Sequence, residues 1–434
     1  MTVPGCSTTD VAIVGGGFCG ISLARLLADR GIGVTVLERG GRIGRKTRTL
    51  LLDENDIEMG TCYIALDYGT VLALGRRYGM ATRPLGRATA NPASVLAPLF
   101  ASSSRGMLQR VRLGMTALRN LPRYTRRRAA VLRQFAAGDP ATMRALGGSV
   151  QAWLKAERLG ALRGVFAAIG TGFGYGVLES VPALYMLRWM STAMILTLLM
   201  ERGRMFKPGY GALLGGMAEG LDLRLGCEAG AMAFDEAAGL WTVAAQGGDV
   251  SARHLVIACP PVTPALRAPF EPERRHVLEN ASPCPYCTVL VTARGWFTSH
   301  RRVFARAGEQ QDYMLGARND GNCPEGAYYM CAIIPTSYAR DHLEAILRRD
   351  IAADGGTLGR IVEVGDWHDY AFQVRGAAIA DGRYHALEAA QGARNLWLSN
   401  AVLAHENWRD LLVLNKRIAA AIEVHVAPPP TAAR

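Results

Sequence analysis

The sequence predicts an α/β fold in which a discontinuous Rossmann-type domain carries an inserted α+β domain. A strand, a glycine-rich turn, a helix and a second strand follow one another between Asp10 and Thr49. A meander of short strands occupies the middle of the chain, and a strand followed by a helix lies near its C-terminus. The chain of 434 residues also exceeds the length of one ordinary hydrophobic core, which favours two domains.

The first segment begins with a β-rich run over residues 11–14 and ends with another over residues 34–37. Between them, apolar residues repeat at helical spacing, at Ile21, Ala24, Leu27 and Ala28, before Gly31 ends the helix. The turn before this helix reads G-x-G-x-x-G, and an acidic residue follows the second strand. This arrangement is typical of a βαβ unit that binds a dinucleotide.

Each position of the glycine turn has a physical reason. Gly15 permits the tight turn, Gly17 lets the backbone approach a pyrophosphate, and Gly20 lets the helix pack closely on the strand. The helix N-terminus offers free N–H groups and a partial positive charge to phosphates. Glu38 can accept hydrogen bonds from both hydroxyls of an adenosine ribose, and it would repel a 2′-phosphate.

Two further segments complete the predicted nucleotide domain. From Lys207 to Pro261, a glycine loop leads into a helix and then into three short strands, the last of them buried. Near the C-terminus, a strand and a loop precede a helix from Trp408 to Val424. The nucleotide domain is therefore predicted over residues 8–75, 205–280 and 385–425. Residues 76–204, which are mainly helical, and residues 281–384, which mix strands with one helix, are predicted to form the inserted, substrate-binding domain.

Charge narrows the class of partner. The net charge is +12 at pH 7, and the block from Arg105 to Arg133 has nine arginines and no Asp or Glu. Because apolar residues alternate with these arginines at helical spacing, the block is predicted to be a solvated helical face, or a docking face for an anionic membrane or an acidic carrier protein. Nucleic acid is not expected as a partner, since no recognised nucleic-acid module accompanies the block.

Other features of the sequence limit the cellular location and the redox or metal chemistry expected of the protein. The first ten residues lack the basic and apolar regions of a secretory signal, so a cytoplasmic protein is expected. The apolar stretch from Leu184 to Met200 is interrupted by Arg188 and is predicted to be a buried or substrate-lining helix. Nine scattered cysteines, with Cys284 and Cys287 as the one close C-x-x-C pair, favour reduced thiols over a redox pair, and no metal site is predicted.

The three segments, in this order, resemble the flavin-containing amine oxidase superfamily. The string GRIGRKTRT is similar to its R-x-G-G-(R/K)-x-x-T motif, with Arg45 at the position of the second glycine. Glu58 and Gly60 match its E-x-G motif, residues 225–229 resemble the strand whose backbone grips adenine, and residues 399–408 occupy its C-terminal flavin-contacting segment. The resemblance implies an FAD cofactor and oxidation of a small-molecule substrate by hydride transfer to the flavin.

The resemblance also implies which residues bind the cofactor. They are Gly15, Gly17, Gly20, Glu38, Arg39, Arg42, Gly44, Lys46, Thr47, Gly60, Thr61, Glu228, Ala229, Asn400 and Trp408. Asn400 is expected to contact the ribityl–phosphate chain. Asn407 is expected to cap the last helix, whose N-terminal end, with Trp408 and Arg409, would stabilise negative charge on the flavin.

Two residues of the family pattern are missing. Thr288 stands where many amine oxidases have a lysine that holds a water under the flavin. After Gly60, where amino-acid oxidases have an arginine for the substrate carboxylate, the chain continues with Thr61, Cys62 and Tyr63. These departures disfavour an ordinary amino-acid oxidase and favour a bulky substrate, neutral or tethered. The strings FGYGVLESVPALYMLRW, KTRTLLLDENDIEMGTCYI and QGARNLWLSNAVLAHENW resemble the secondary-metabolite flavoenzymes that include β-cyclopiazonate dehydrogenase.

His405, Tyr286 and Tyr63 are the candidate catalytic residues, with Tyr185 and Trp408 as further pocket candidates. His405 lies beside Glu406 and is a candidate general base, although a core role is equally compatible with each of these residues. Three functions stay open: an FAD-dependent oxidase or dehydrogenase acting at a C–N or C–C bond of a natural-product intermediate, a flavin monooxygenase using NADPH, and an FAD-bearing scaffold or carrier-docking subunit with impaired catalysis.

Overall fold

The computed structural model describes residues 7–90, 104–304 and 311–426. Its strands are β1 (Ser7–Val14), β2 (Val34–Leu37), β3 (Thr49–Leu52), β4 (Asn55–Glu58), β5 (Ala81–Pro84), β6 (Ala88–Ala90), β7 (Arg204–Lys207), β8 (Asp222–Arg224), β9 (Ala229–Asp235), β10 (Leu240–Ala245), β11 (Val250–Ile257), β12 (Ala281–Ser282), β13 (Cys287–Arg294), β14 (Arg301–Val303), β15 (Met314–Cys323), β16 (Gly326–Ile333), β17 (Thr357–Asp366), β18 (Gln373–Val374) and β19 (Leu396–Leu398).

The helices are α1 (Phe18–Ala28), α2 (Gly69–Arg77), α3 (Ser104–Ala136), α4 (Pro140–Gly147), α5 (Val150–Ala156), α6 (Arg163–Gly172), α7 (Ala183–Trp189), α8 (Thr192–Leu199), α9 (Tyr210–Ala218), α10 (Pro264–Arg267), α11 (Pro272–Glu279), α12 (Arg340–Ala353), α13 (Gly376–Ala380), α14 (Arg383–Ala389) and α15 (Trp408–Val426). Short 3₁₀ turns lie at Gly160–Leu162 and Ala393–Asn395.

The chain divides into two compact units. The first unit contains the described residues up to Thr47, residues 211–281 and the residues from Arg383 onward; the second contains residues 48–210 and 282–382. Residues 48–75 and 205–210 were expected in the nucleotide domain and lie in the second unit. Pairing between distant segments holds them there, because the backbones of Ile64 and Arg204 exchange two hydrogen bonds within that unit.

The first unit is built on one sheet with the strand order β8-β2-β1-β11-β10-β9, and β19 also pairs with β11. Strands β8, β2, β1, β11 and β19 run parallel, whereas β10 and β9 are antiparallel additions. The apolar run over residues 11–14 is fully buried, as expected for the centre of a parallel sheet covered on both faces. This Rossmann-type arrangement confirms the α/β prediction.

Helices α1 and α15 lie side by side in the first unit, and a buried asparagine joins them. The amide nitrogen of Asn415 on α15 donates to the backbone oxygen of Cys19 and to the hydroxyl of Ser22, each at 2.8 Å. The amide oxygen of Asn415 accepts a hydrogen bond from the hydroxyl of Ser399 at 2.5 Å. Because Ser399 directly follows β19, this side chain fixes the C-terminal segment against the helix of the glycine turn.

The second unit has a six-stranded sheet with the order β17-β13-β16-β15-β14-β6. Its neighbours are antiparallel except β14 and β6, which are parallel. Helix α12 covers one face of this sheet through Leu343, Ile346, Leu347 and Ile351, which are buried together with the apolar side chains of β13 and β16. The amphipathic spacing of these four residues explains why the sequence predicted one helix in this region.

The apolar stretch from Leu184 to Met200 forms two helices, which corrects the expectation of a single one. Helix α7 ends at Trp189, and the hydroxyl of Ser191 caps α8 by accepting a hydrogen bond from the backbone N–H of Met194 at 3.0 Å. A serine that can accept this bond favours a new helix start over continuation of the old one. In the part of the chain that the structure describes, no helix is long and apolar enough to cross a membrane.

Candidate functional site

The glycine turn of the first unit has two glycines required by packing and one that is not. Gly15 has a φ of +116°, and a Cβ on Gly20 would lie 1.9 Å from the backbone oxygen of Gly15. A Cβ on Gly17 would meet no atom within 4 Å. Gly17 is therefore dispensable for packing among the described residues, and its missing side chain leaves the N-terminus of α1 open to a phosphate group.

Glu38 lies across the glycine turn, at the end of β2. One carboxylate oxygen accepts a hydrogen bond from the backbone N–H of Gly16 and the other from that of Gly40, each at 2.7 Å. Each oxygen keeps a second lone pair, so the carboxylate can still accept hydrogen bonds from two ribose hydroxyls. The position thus fits the adenosine role that the sequence predicted.

Residues 225–229 were expected to form a strand beside the adenine, and they form a turn instead. The backbone N–H of Gly226 donates to the oxygen of Gly40, and that of Cys227 donates to the oxygen of Glu38. Gly226 has a φ of +62°, which turns the chain before β9 begins at Ala229. The turn still holds Glu228 and Ala229 beside the Glu38 segment, so their contact with the cofactor remains a prediction.

Glu38→Ala is expected to weaken FAD binding by about 1–3 kcal/mol, because charge-assisted hydrogen bonds to the ribose would be lost. The same change frees the N–H groups of Gly16 and Gly40 and loosens the glycine turn. Calorimetric titration of the apoprotein with FAD measures the effect. An unchanged dissociation constant would show that another acid binds the ribose.

The basic segment after β2 packs against the glycine turn. The backbone N–H of Gly44 donates to the oxygen of Gly16 at 3.0 Å, and a φ of +70° explains the glycine at position 44. The ammonium of Lys46 forms a 2.8 Å ion pair with Glu406. Lys46 therefore connects this segment to the C-terminal loop. That Arg39, Arg42 and Thr47 contact the cofactor remains a prediction.

The C-terminal loop places the N-terminus of α15 beside that of α1. The amide oxygen of Asn407 accepts the backbone N–H of Asp410 at 3.0 Å, which confirms the predicted helix cap. The Trp408 ring stacks on Phe18 with the centroids 3.6 Å apart. Both helices therefore direct the positive ends of their dipoles to one region. Arg409 adds little net charge there, because it forms a 2.7 Å ion pair with Asp410.

Asn400 and His405 are buried parts of the same loop. The amide of Asn400 donates to the backbone oxygen of Cys259 at 2.8 Å and accepts the N–H of Val402 at 3.0 Å, so it shapes the loop. Burial, reinforced by nearby Arg409, holds the pKa of His405 well below its ordinary value of 6.5. A histidine with so low a pKa is a weak proton acceptor at neutral pH, which argues against the general-base role.

In the second unit, two buried side chains hold the loop that contains Gly60 and Thr61. The guanidinium of Arg318 donates to the backbone oxygen of Glu58 at 2.7 Å and forms an ion pair with Asp320 at 2.5 Å. The hydroxyl of Thr288 donates to the backbone oxygen of Met59 at 2.6 Å and accepts the indole N–H of Trp367 at 2.9 Å. Thr288 therefore stabilises the loop through hydrogen bonds, and it does not supply the positive charge that a lysine at this position would have.

Glu58 is itself buried and holds a proton near neutral pH. One carboxyl oxygen accepts hydrogen bonds from the backbone N–H of Tyr210 at 2.5 Å and from the hydroxyl of Thr49 at 3.1 Å. The other oxygen is buried and has no hydrogen-bond partner among the described residues. Burial raises the pKa of Glu58 to about 8 despite these two donors and nearby Arg318.

Glu58→Gln is expected to gain stability relative to the wild type as the pH rises from about 5 to about 8. The folded protein holds the Glu58 proton more tightly than the unfolded chain, so the wild type loses stability between the ordinary pKa of 4.5 and about 8. Glutamine has no such proton to lose. Thermal melts of both proteins across this range measure the difference in Tm, and equal pH slopes would contradict the raised pKa.

Tyr63 and Tyr286, two of the candidate catalytic residues, lie in one aromatic cluster of the second unit. The cluster is continued by four rings that the sequence analysis did not assign to the site: Phe173, Tyr175, Trp189 and Tyr370. The indole N–H of Trp189 donates to the hydroxyl of Tyr63 at 2.8 Å, and Tyr370 stacks on Tyr286 with centroids 4.6 Å apart. Phe173, Tyr175 and Trp189 occur in the string FGYGVLESVPALYMLRW, which was the available signal.

The structure argues against an acid–base role for Tyr286 and places Tyr185 in the core of this unit. Burial raises the pKa of Tyr286 above its ordinary value of 10, so its hydroxyl stays neutral. Tyr185 is a core residue, since it is 1% exposed and its hydroxyl accepts the backbone N–H of Val374 at 2.9 Å. The pKa values of Tyr286 and His405 are therefore not suited to proton transfer at neutral pH.

Comparison with known proteins identifies the family of the chain. The family model described as flavin containing amine oxidoreductase matches residues 18–354. The flavin-containing amine oxidase of Danio rerio is 36% identical over 74 residues, which are 17% of this chain and 14% of that protein. The Homo sapiens flavin-containing amine oxidase B also matches at 36% over 74 residues, with the same two shares. The chain thus matches a small part of the length of these curated relatives.

Solved structures match over nearly the whole chain. A fatty acid isomerase from P. acnes that produces CLA has a TM-score of 0.77 at 16% identity, covering 95% of this chain and 98% of that chain. Putrescine oxidase bound to putrescine has a TM-score of 0.73 at 18% identity, covering 96% and 100%. Cyclohexylamine oxidase from Brevibacterium oxydans IH-35A has a TM-score of 0.66 at 18% identity, covering 96% and 99%. At these identities the likeness establishes the fold.

Proposed function

The chain belongs to the family of flavin containing amine oxidoreductases, which makes it an FAD-dependent oxidoreductase, and from this premise we propose that it oxidises a bulky, largely apolar small molecule at a C–N or C–C bond. The observation that carries the proposal is the aromatic cluster around Tyr63 and Tyr286 in the second unit. It is joined by the sequence after Gly60, which has no arginine where the resemblance would place one for a substrate carboxylate. A natural-product intermediate, neutral or tethered, is the substrate class that fits.

The first unit has residues suited to holding the cofactor. Glu38 would bind the adenosine ribose, and the backbone at Gly17 with the N-terminus of α1 would receive the pyrophosphate. Lys46, paired with Glu406, holds the basic segment to the C-terminal loop. FAD supplies the redox chemistry by accepting a hydride from the substrate. The capped N-terminus of α15 would stabilise negative charge on a flavin bound beside it.

The protein's own contribution to the reaction is positioning and exclusion of water. The hydroxyl of Tyr63 accepts a hydrogen bond from Trp189, and the Tyr286 ring stacks on Tyr370, so both side chains are held in one orientation. Burial raises the pKa of Tyr286 and lowers that of His405, so neither side chain is suited to accept a proton near neutral pH. A reaction that needs no protein base, such as direct hydride transfer from a neutral amine, is the chemistry that these residues favour.

The names of the similar proteins support the range of substrates to be tested. Putrescine oxidase and cyclohexylamine oxidase are named for amines, and the fatty acid isomerase is named for an apolar chain. Because Thr288 takes the place of the family lysine and is engaged by Met59 and Trp367, we do not transfer the substrate of any one of them to this chain.

Anaerobic stopped-flow reduction of the FAD-loaded protein tests the proposal. Bulky cyclic and aryl-substituted amines are expected to bleach the oxidised flavin absorbance without a nicotinamide, while free amino acids and short diamines leave it unchanged. Reduction by NADPH alone would identify a monooxygenase. Absence of reduction by every amine and by NADPH would favour a scaffold function, and rapid reduction by free amino acids would refute the substrate class.

A further inference from the structure

The solvent-facing side of helix α3 in the second unit exposes apolar side chains. Val111, Met115 and Leu118 are 53%, 53% and 59% exposed. They recur at intervals of four and three residues, so they form one stripe along the helix. A helix that is packed on one side ordinarily presents polar side chains on the other, so this stripe calls for a partner.

Arginines form a second stripe beside the apolar one. Their side chains are exposed at Arg112, Arg119, Arg123 and Arg126. With about 3.6 residues per turn, these four positions fall on the face adjacent to Met115 and opposite the buried Tyr124. The whole block from Arg105 to Arg133 contains no Asp or Glu, so no carboxylate within it offsets this charge.

Not all arginines of the block belong to this surface. Arg127 forms a 2.6 Å ion pair with Glu157, and Arg128 donates to the backbone oxygens of Leu187 and Arg188 at 2.5 and 2.8 Å. These two arginines anchor α3 to neighbouring helices. The expectation of one continuous docking face is therefore corrected for them, while the side chains of Arg105 and Arg110 lie outside the described residues.

We propose that the two stripes dock the protein on the surface of an anionic phospholipid bilayer. Helices that lie in a membrane interface insert an apolar stripe to the level of the acyl boundary and place basic side chains at the headgroups. The arginine stems can extend along the apolar level while the guanidinium groups stay at the phosphates. An acidic carrier protein would account for the charge alone, whereas a bilayer accounts for the apolar stripe as well. This inference does not depend on the proposed substrate.

Vesicle co-sedimentation of the FAD-loaded full chain tests the proposal. One probe is vesicles of phosphatidylcholine with about a third phosphatidylglycerol, and the other is vesicles of phosphatidylcholine alone. The wild type is expected to sediment with the anionic vesicles, and salt well above about 0.1 M should reduce that binding. Arg119→Glu with Arg123→Glu should lower the partition coefficient more than about tenfold, since each arginine contributes about fivefold near an anionic surface.

A second variant and a matched control separate this role from general charge. Leu118→Glu should also lower the partition by about tenfold, because it replaces an inserting apolar side chain by a carboxylate that anionic headgroups repel. Arg76→Glu with Arg417→Glu makes the same change in net charge at exposed positions on α2 and α15, and it should leave binding unchanged. Circular dichroism and flavin content confirm that each variant is folded.

Three results would overturn the proposal. The first is a wild type that stays in the supernatant with both vesicle types. The second is a control variant that loses as much binding as the stripe variants. The third is a dimer in light scattering that Leu118→Glu dissociates while no vesicle binds, since that result would identify a second copy of the chain as the occupant of the stripe.

Discussion

Gly17→Val is expected to leave the apoprotein folded and to remove FAD from it. A Cβ at Gly17 would meet no protein atom within 4 Å, and the backbone there, with φ −77° and ψ −176°, is open to any residue. A valine side chain would occupy the approach to the N-terminus of α1, where the backbone must come close to the pyrophosphate. Flavin content after purification should fall below about a tenth of the wild-type value, with a stability loss near 1 kcal/mol from the poorer helix cap.

Two other glycines serve as controls for this prediction. Gly164→Val makes the same substitution at an exposed helical position with open space around it, and it should retain FAD. Gly20→Ala should instead destabilise the apoprotein, because its Cβ would lie 1.9 Å from the oxygen of Gly15. Released flavin, quantified by absorbance, and the Tm of the apoproteins distinguish the cases. A Gly17→Val protein with full flavin content would place the pyrophosphate elsewhere.

Arg318→Met is expected to cost about 3–5 kcal/mol of unfolding free energy, the largest stability effect that we predict. The substitution leaves the carboxylate of Asp320, which is 8% exposed, without its bidentate partner. It also removes the hydrogen bond to the backbone oxygen of Glu58 that fixes the loop containing Gly60. Denaturant unfolding followed by fluorescence measures the loss.

The double variant Arg318→Met with Asp320→Leu is the matched control for this pair. Replacing both charges by apolar side chains removes the uncompensated carboxylate, so most of the lost stability should return. The loop hydrogen bond to Glu58 stays absent, so any remaining deficit reports its contribution. An Arg318→Met protein as stable as the wild type would show that other groups compensate the charge of Asp320. It would also show that the Arg318–Asp320 pair does not stabilise the loop.

Local patterns in the sequence predicted the first unit well. The glycine turn and the cap at Asn407 depend on residues within a few positions of one another, Glu38 follows the turn by about one βαβ unit, and the structure has all three. The parallel sheet follows from the same patterns, because a buried strand followed by a helix returns to the same sheet. The turn at Gly226 was predicted as a strand because a short sequence that contains glycine is compatible both with a loop and with the first residues of a strand.

The second unit depends on contacts between residues that are far apart in the chain. Tyr63 meets Trp189 and Arg318 meets the backbone of Glu58 only after the sheet and helices have assembled. Periodicity in the sequence does not predict which distant residues form such pairs. The low pKa of His405 likewise follows from burial by residues around it, which its neighbour Glu406 did not reveal.

Calorimetric titration of the apoprotein with FAD and, separately, with NADPH tests the central assignment most directly. We expect one FAD bound per chain, with binding weakened by Glu38→Ala and lost in Gly17→Val, and no comparable heat from NADPH. The glycine turn, Glu38 and the capped N-terminus of α15 carry this expectation. An apoprotein that binds NADPH and shows no heat with FAD would contradict it.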